Sequence, residues 1–175
     1  MNNLGTIRPV TEYDVADICE IYNYFVENTI ISFEESSISI LEMEQRIATQ
    51  SIDYPWLVYE LAPAEGEEGK RGKVIAYAYA NKWKPRCAYR FTLESTIYMS
   101  ADYQEKGIGT KLYKKLLDEL STRSIRSVMA VIALPNVGSI ALHEKMGFEK
   151  SAHFKEVGYK HEQWIDVGYW QKMLD

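Results

Sequence analysis

The chain has 175 residues, of which 46% are hydrophobic and 26% charged, and its formal net charge at pH 7 is −5. This length suits one domain with a sizeable core, and the composition is ordinary for a globular protein. The acidic balance argues against proteins that bind nucleic acid or anionic membranes, because both classes normally carry a basic face. We therefore expect residues 1–175 to form a single domain.

Cysteine usage and the N-terminal sequence favour a cytoplasmic protein. Cys19 and Cys87 are the only cysteines, and they lack metal-ligand spacing, so neither a disulfide framework nor a metal site is predicted. Residues 1–10 lack the basic and apolar regions of a signal peptide. The longest uncharged apolar stretch, residues 74–80, is too short to cross a bilayer. The expected setting is the reducing cytoplasm, without a membrane segment.

The first half of the chain carries strand and helix patterns in turn. Apolar residues at three- and four-residue spacing predict two helices, over residues 12–26 and 39–50. Runs of β-branched and aromatic residues predict strands over residues 6–10, 56–61, 74–83 and 88–99. The segments left between them are a small polar loop at residues 29–36 and a charged, glycine-rich hairpin loop at residues 63–73.

The second half continues in the same way. A helix is predicted over residues 110–122, and residues 127–134 are nearly all apolar, as in a strand buried on both faces. A further helix over residues 139–146, ended by Gly147, precedes two strands at residues 151–159 and 164–173. The order β-α-α-β-β-β-α-β-α-β-β predicts an α/β (α+β) fold. Its sheet should be mixed and mainly antiparallel, with about seven strands flanked by about four helices.

Residues 94–120 combine a strand, a glycine turn and an amphipathic helix. Gly107 and Gly109 allow close backbone approach, and the first N–H groups of the helix should face the same spot. That spot suits a phosphate or pyrophosphate, although a glycine pair between strand and helix commonly only makes the turn. The third glycine of the dinucleotide fingerprint and the Gly-Lys-Ser/Thr of the Walker motif are both absent.

The glycine turn resembles a known motif. Gln104-x-x-Gly107-x-Gly109 after a strand is similar to the acyl-CoA pyrophosphate loop of the GNAT N-acetyltransferases, and the order of elements matches that family over nearly the whole chain. The resemblance implies a GNAT-like fold and acetyl-CoA as co-substrate, with no metal. Around the loop it implies a cofactor-binding set of Ile97, Tyr98, Met99, Gln104, Glu105, Lys106, Gly107, Ile108, Gly109 and Thr110.

A second stretch resembles the other signature of the same family. Residues 136–148 read N-x-x-S-x-x-x-H-x-x-x-G-F, which implies that Asn136 and Ser139 lie near the pantetheine arm. His143 stands where the family usually has a tyrosine that protonates the leaving thiolate. The resemblance makes His143 a catalytic candidate, as a proton donor or as a holder of water, and simple packing is the alternative. Asn136 also has an ordinary explanation as a turn residue after Pro135.

Four stretches, at residues 83–89, 94–98, 128–136 and 158–171, resemble the phosphinothricin and methionine sulfoximine/sulfone acetyltransferase branch. The branch implies a small-molecule amine acceptor bound by Phe33, Lys84, Arg86, Tyr89, Thr96 and Tyr98. The two cations suit a carboxylate or phosphinate, unless they belong to a solvated basic turn, and Phe33 can equally serve packing. The branch also implies a homodimer that uses the last strand, with its aromatic residues Trp164, Tyr169 and Trp170.

Acetyl transfer from a thioester to an amine requires a neutral amine, a stabilised oxyanion and a leaving thiolate. Glu94 is the predicted general base. Strand alternation places it on one face with Thr92, Thr96 and Tyr98, and partial burial in so apolar a strand would raise its pKa. The alternative is an edge glutamate paired with Lys or Arg. The oxyanion should meet a backbone N–H near Tyr98 or Met99.

These features predict an enzyme that acetylates the amine of a small amino-acid-like acceptor by direct transfer from acetyl-CoA. A covalent route is disfavoured because neither Cys19 nor Cys87 has an activating partner in the sequence. Two alternatives remain: an acetyltransferase for another small amine or a protein N-terminus, and a non-catalytic acyl-CoA-binding module. Lys84 and Arg86 disfavour polycationic acceptors, and Glu94 favours the enzyme.

Overall fold

The computed structural model describes residues 5–63, 69–103 and 107–174. Within these residues the α-helices are α1 (Val15–Asn28), α2 (Ile40–Gln50), α3 (Ile108–Ser121) and α4 (Val137–Lys145). The strands are β1 (Thr6–Pro9), β2 (Trp56–Glu60), β3 (Val74–Lys82), β4 (Thr92–Met99), β5 (Ser127–Leu134), β6 (Glu149–Lys160) and β7 (Gln163–Met173). None of these helices is long and apolar enough to cross a membrane.

All seven described strands belong to one sheet, in the order β1-β2-β3-β4-β5-β7-β6. Every neighbouring pair is antiparallel except β4 and β5, which are parallel. This confirms the predicted mixed, mainly antiparallel sheet with about seven strands and about four helices.

Each face of the sheet has its own core, because successive strand side chains alternate between the faces. On one side the apolar stripe of α3, which includes the fully buried Leu112 and Leu116, packs against Leu93 and Val128. On the other side α1 and α2 pack on the sheet in a second cluster. A buried leucine stabilises the fold by roughly 2 kcal/mol, so these stripes hold the helices firmly.

The centre of the sheet opens into a wedge-shaped gap. β4 pairs with β5 only from Thr92↔Ser127 to Glu94↔Met129. Beyond Glu94, β4 continues along β3 while β5 continues along β7, so the two strands diverge. Where they part, the Ser95 hydroxyl lies 2.6 Å from the Tyr113 hydroxyl and donates to the Met129 carbonyl at 3.3 Å. The fold thus places Glu94 at the mouth of an opening between two strands.

Two expectations need correction. β4 begins at Thr92 rather than at residue 88, because residues 87–89 form a 3₁₀ turn in which Arg90 N donates to Cys87 O. Trp170 is only 2% exposed and its Nε1 donates to Glu144 Oε1, so it belongs to the core rather than to an interface. The sheet edge at this end is β6, since β7 lies between β5 and β6.

Candidate active site

Two clefts open onto the gap between β4 and β5 and meet there. We name them the Glu94 cleft, of about 450 Å³, and the Gly107 cleft, of about 470 Å³. Both are lined by Ile31, Ile97, Tyr98, Asn136 and Ser139. These five residues form a wall that the two clefts share. A molecule bound along this shared wall would therefore extend from one cleft into the other.

The Gly107 cleft ends at the beginning of α3. Gly107 has φ of 73°, a left-handed conformation that favours glycine, and it precedes the helix without a side-chain cap. The first N–H groups of α3 therefore lack intrahelical partners and attract negative charge. Gly109 and Thr110 line this cleft, whereas the Ile108 side chain is buried in the core and offers only its backbone. Gln104, Glu105 and Lys106 lie outside the described residues.

Gly109 leaves space in this cleft because it has no side chain. A Cβ at this position would lie 3.8 to 3.9 Å from Met99, Ile97 and Leu142, which is ordinary van der Waals contact. A methyl group therefore fits there, while a larger side chain would have to displace these neighbours or enter the cleft.

At the shared wall, Asn136 caps α4. Its Oδ1 accepts a hydrogen bond from Ser139 N at 3.0 Å, which explains why the helix begins at Val137, earlier than the predicted residue 139. The motif residues Asn136, Ser139 and His143 follow one another along one side of α4, linked by hydrogen bonds, and Gly147 ends this segment with φ of 84°. The cap uses the Oδ1 atom of Asn136, and the residue still lines both clefts.

His143 is buried, and its contacts determine which ring nitrogen carries the proton. Its Nδ1 lies 2.7 Å from Ser139 O, so Nδ1 carries the proton and donates to that carbonyl. Nε2 then has a lone pair, and it is buried without a hydrogen-bond partner among the residues that the structure describes. Burial lowers the pKa of His143, and the hydrogen bond to Ser139 opposes this effect. The ring is therefore suited to accept a hydrogen bond at Nε2.

Glu94, Thr96 and His143 all line the Glu94 cleft. No hydrogen bond or ion pair to its carboxylate occurs within the described parts of the chain. Burial raises the pKa of Glu94, and the nearby charge of Lys84 opposes the increase. The structure therefore favours an available carboxylate over the alternative of an ion-paired edge glutamate.

Backbone N–H groups of β4 also face the gap. Ser100 N donates to Ile75 O at 2.8 Å, so in this antiparallel pair the even-numbered residues of β4 form the hydrogen bonds to β3. The N–H groups of Ile97 and Met99 consequently point to the other side, where β5 has moved away. This alternation favours Met99 over Tyr98 as the expected N–H donor and adds Ile97.

The residues expected to bind the acceptor are only partly brought together. Phe33, Thr96 and Tyr98 line the Glu94 cleft. Lys84, Arg86 and Tyr89 are exposed and lie outside the described lining of both clefts. Within this loop, Lys84 Nζ lies 5.2 Å from the ring centre of Trp83, which meets Tyr89 edge-on.

The Glu94 cleft also contains a hydrogen-bonded group that sequence reasoning missed. The Tyr22 hydroxyl lies 3.1 Å from Ser32 Oγ and donates to Glu34 Oε1 at 3.0 Å. Glu34 also accepts from Arg46 at 2.6 Å. Burial raises the pKa of Glu34, but the hydrogen bonds from Arg46 and Tyr22 and the nearby positive charges together outweigh burial and keep that pKa below its usual value. Helical spacing over residues 12–26 suits Tyr22 to the buried face of that helix, and no local pattern links it to the loop.

Comparison with known proteins settles the family. The model of the acetyltransferase (GNAT) domain matches residues 7–168. The chain belongs to the GNAT acetyltransferase family. The GNAT fold and the enzyme class inferred from the glycine turn are thereby confirmed. Among the residues that the structure describes, no group of three or more His, Cys, Asp or Glu side chains is placed to hold a metal.

Three GNAT relatives illustrate the similarity. The chain is 39% identical to a phosphinothricin N-acetyltransferase of Streptomyces viridochromogenes, over 95% of this chain and 86% of the relative. It is 32% identical to an L-methionine sulfoximine/L-methionine sulfone acetyltransferase of Salmonella typhimurium, over 97% and 95%. The crystal structure of a GNAT superfamily phosphinothricin acetyltransferase from Sinorhizobium meliloti in complex with AcCoA matches with a TM-score of 0.88 and 36% identity, over 97% and 88% of the chains.

Proposed function

We propose that this GNAT protein acts as one domain over residues 1–175 and transfers the acetyl group of acetyl-CoA to the amine of a small amino-acid-like acceptor. The acceptor class is that of phosphinothricin and methionine sulfoximine or sulfone, as the names of the relatives suggest. The observation that carries the proposal is the meeting of two clefts at the β4–β5 gap, beside the Glu94 carboxylate, which has no hydrogen-bond or ion-pair partner within the described residues. Because Cys19 and Cys87 are free thiols, we also keep the cytoplasmic setting as part of the proposal.

The Gly107 cleft is suited to acetyl-CoA. Its glycine turn and the unpartnered N–H groups of α3 fit a pyrophosphate, and its apolar wall of Phe25, Met99 and Leu142 fits the pantetheine arm. We assign Gln104, Glu105 and Lys106 to the same loop from the motif alone. The N–H groups of Ile97 and Met99 are placed to bind amide and thioester oxygens in the gap.

In the proposed reaction the amine nitrogen attacks the thioester carbon, the C–S bond breaks, and the amine loses one proton. We assign Glu94 as the base that receives this proton, directly or through one water, because its carboxylate has no ion-pair partner in the described part of the chain and burial raises its pKa. A backbone N–H of Ile97 or Met99 stabilises the oxyanion. The departing thiolate takes a proton from water.

We assign His143 a role as a hydrogen-bond acceptor that holds a water or an amine proton, rather than as the acid of the reaction. Its Nδ1–H is committed to Ser139 O, and burial lowers its pKa. We therefore expect a neutral Nδ1–H tautomer from about pH 7 to about pH 9. Nitrogen-15 NMR of the histidine rings measures this, with the His143→Gln spectrum as the assignment control. A titration of His143 within this range, or an Nε2–H tautomer, would contradict the assigned role.

We assign the acidic part of the acceptor to the rim of the Glu94 cleft. The charged residues that line the described part of this cleft are the carboxylates Glu34 and Glu94, and Lys84 is close enough to influence the charge of Glu94. An amino-acid analogue therefore fits with its amine towards Glu94 and its carboxylate or phosphinate towards Lys84 and Arg86. Phe33, Tyr89, Thr96 and Tyr98 complete the proposed acceptor site.

A homodimer is part of the proposal, supported by an exposed apolar surface at the β6 end of the sheet. Its members are Trp164, which is 64% exposed, and Tyr159, which is 53% exposed; they pair across the β6–β7 hairpin with ring centres 4.9 Å apart. Such a surface beside an edge strand favours a protein partner, and a second copy offers the same chemistry.

We expect Trp164→Glu to convert a dimer into a monomer, because a buried charge at the centre of an apolar interface is strongly unfavourable. Sedimentation velocity measures the change. Ile52→Glu is the matched control, since Ile52 is 80% exposed in the turn after α2 and distant in sequence from this surface. A monomeric wild type, or a Trp164→Glu variant that stays dimeric, would contradict the assignment.

The activity is tested by incubating the protein with acetyl-CoA and L-methionine sulfone, with thiol release and product mass as the readouts. We expect equal amounts of free thiol and N-acetylated product. Thiol release without acetylated product would indicate hydrolysis and would refute the proposed acceptor class.

A further inference from the structure

The tip of the β6–β7 hairpin contacts the end of α1 and the loop that follows it. Lys160, the last residue of β6, is only 5% exposed. Its ammonium donates to Val26 O at 2.6 Å and to Ser32 O at 2.7 Å. A buried lysine is unusual, and this one uses its charge to join two segments that lie far from it in the sequence.

The Val26 carbonyl is a group beside which a positive charge is favourable. Val26 lies in the last turn of α1, where carbonyls lack intrahelical partners and carry the negative end of the helix dipole. Burial lowers the pKa of Lys160, while the carboxylates of Glu34 and Glu35 oppose that effect. Hydrogen bonds from a charged donor are stronger than those between neutral groups, so the contact is a firm one.

Two neighbours of Lys160 hold the same loop. Gly158 lies on the same face of β6 as Lys160, and a Cβ there would be 2.5 Å from Cζ of Phe33, so the Phe33 ring packs directly on the glycine. His161 Nε2 lies 3.3 Å from Thr29 O. The hairpin tip therefore touches the loop at three successive points.

The hairpin tip is itself a rigid support. Pairing between β6 and β7 resumes at Gly158↔Ile165 and runs to Lys160↔Gln163. The two turn residues have φ of 49° and 58°, as in the tight turns that match the twist of paired strands. The loop between α1 and α2, in contrast, contains no helix or strand of its own. The position of its backbone thus depends on contacts such as that of Lys160.

This loop supplies one wall of the Glu94 cleft, through Ile31, Ser32, Phe33 and Glu34. We infer that Lys160 is a positioning residue for the acceptor: it fixes the backbone at Ser32 and thereby places the wall against which the acceptor binds. Lys160 itself does not line either cleft in the described structure. This inference rests on the proposed function, because it assigns the acceptor to the Glu94 cleft.

The test compares Lys160→Met with wild type. Methionine has a similar length but leaves Val26 O and Ser32 O without a donor. We expect the KM for methionine sulfone to rise at least about tenfold, since a displaced wall loses binding free energy of the order of one hydrogen bond. The KM for acetyl-CoA should stay within about twofold, because the Gly107 cleft is built mainly from other segments. Lys155→Met, an exposed lysine on the same strand, is the matched control.

Amide hydrogen exchange provides a readout that does not depend on activity. In Lys160→Met we expect faster exchange in residues 29–36 and unchanged exchange in β3 and α3. Unchanged exchange in that loop, an unchanged acceptor KM, or an equal rise of both KM values would each overturn the inference. If wild type acetylates neither phosphinothricin nor methionine sulfone, the acceptor assignment fails. The exchange rates alone then decide whether Lys160 holds the loop.

Gly158→Ala decides the question if Lys160→Met does not fold. The added methyl group must displace the half-exposed Phe33 ring, which can move outwards without unfolding the protein. An acceptor KM raised at least about fivefold, with acetyl-CoA KM within about twofold, would support the role of the hairpin tip. Wild-type kinetics in Gly158→Ala would overturn it.

Discussion

Glu94→Gln is expected to lower kcat/KM for the acceptor by about 10²- to 10⁴-fold, the usual contribution of a general base. Glutamine keeps the shape of the side chain but cannot receive a proton. The pKa of Glu94 is raised by burial, so in wild type the active carboxylate forms as the pH rises through that pKa. In the variant, kcat/KM no longer rises with the ionisation of residue 94. Its residual rate should increase only as the amine loses its own proton at higher pH.

The measurement is kcat/KM from about pH 4.5, near the ordinary pKa of a glutamate, to about pH 9 for both proteins, by thiol release. Glu44→Gln removes the charge of an exposed glutamate on α2 and serves as the control. Equal rates and equal profiles in wild type and Glu94→Gln would show that orientation alone provides the rate, and Glu94 would then not be the base.

Gly109→Val is expected to raise the KM for acetyl-CoA by about 10- to 100-fold, with a much smaller effect on the KM for the acceptor. The Cβ fits at 3.8 to 3.9 Å from Met99, Ile97 and Leu142, but the two extra methyl groups must enter the Gly107 cleft or push these neighbours away. Forced contacts of this size typically cost about 1 to 3 kcal/mol. Because the obstacle blocks donor binding, saturating acetyl-CoA should restore most of kcat.

Gly109→Ala is the matched control. Its single methyl group makes ordinary contacts and the substitution favours the helix, so the KM for acetyl-CoA should change by less than about threefold. Isothermal titration with CoA gives the same comparison without turnover. If Gly109→Val binds CoA as tightly as wild type and has the same melting temperature, the donor does not occupy the Gly107 cleft.

Local patterns in the sequence predict most of the fold, because buried faces repeat with the period of their element. The stripe of α3 and the apolar run of β5 are recognised in this way. Strand alternation also predicts the face of β4 that carries Glu94, which the structure places in a cleft. Boundaries are missed where a local hydrogen bond overrides the pattern, as with the 3₁₀ turn before β4 and the Asn136 cap of α4.

The rest of the site depends on contacts between distant segments. Lys160 and Ser32 are 128 residues apart, and nothing in either neighbourhood predicts that they meet. The tautomer of His143 follows from the position of the Ser139 carbonyl, which is defined only once α4 forms. The aromatic run that ends in Trp170 suggested an interface, but pairing with β5 places this ring in the core. Such outcomes are set by packing, which a single sequence does not display.

The most direct measurement compares kcat/KM for phosphinothricin, methionine sulfone, spermidine and a short peptide with a free N-terminus, all with acetyl-CoA as donor. The account predicts efficient turnover of the two amino-acid analogues and at least about 100-fold lower values for spermidine and the peptide, because Lys84 and Arg86 favour an acidic acceptor. Preferred turnover of spermidine or the peptide, or CoA binding without acetylation of any of the four, would contradict it.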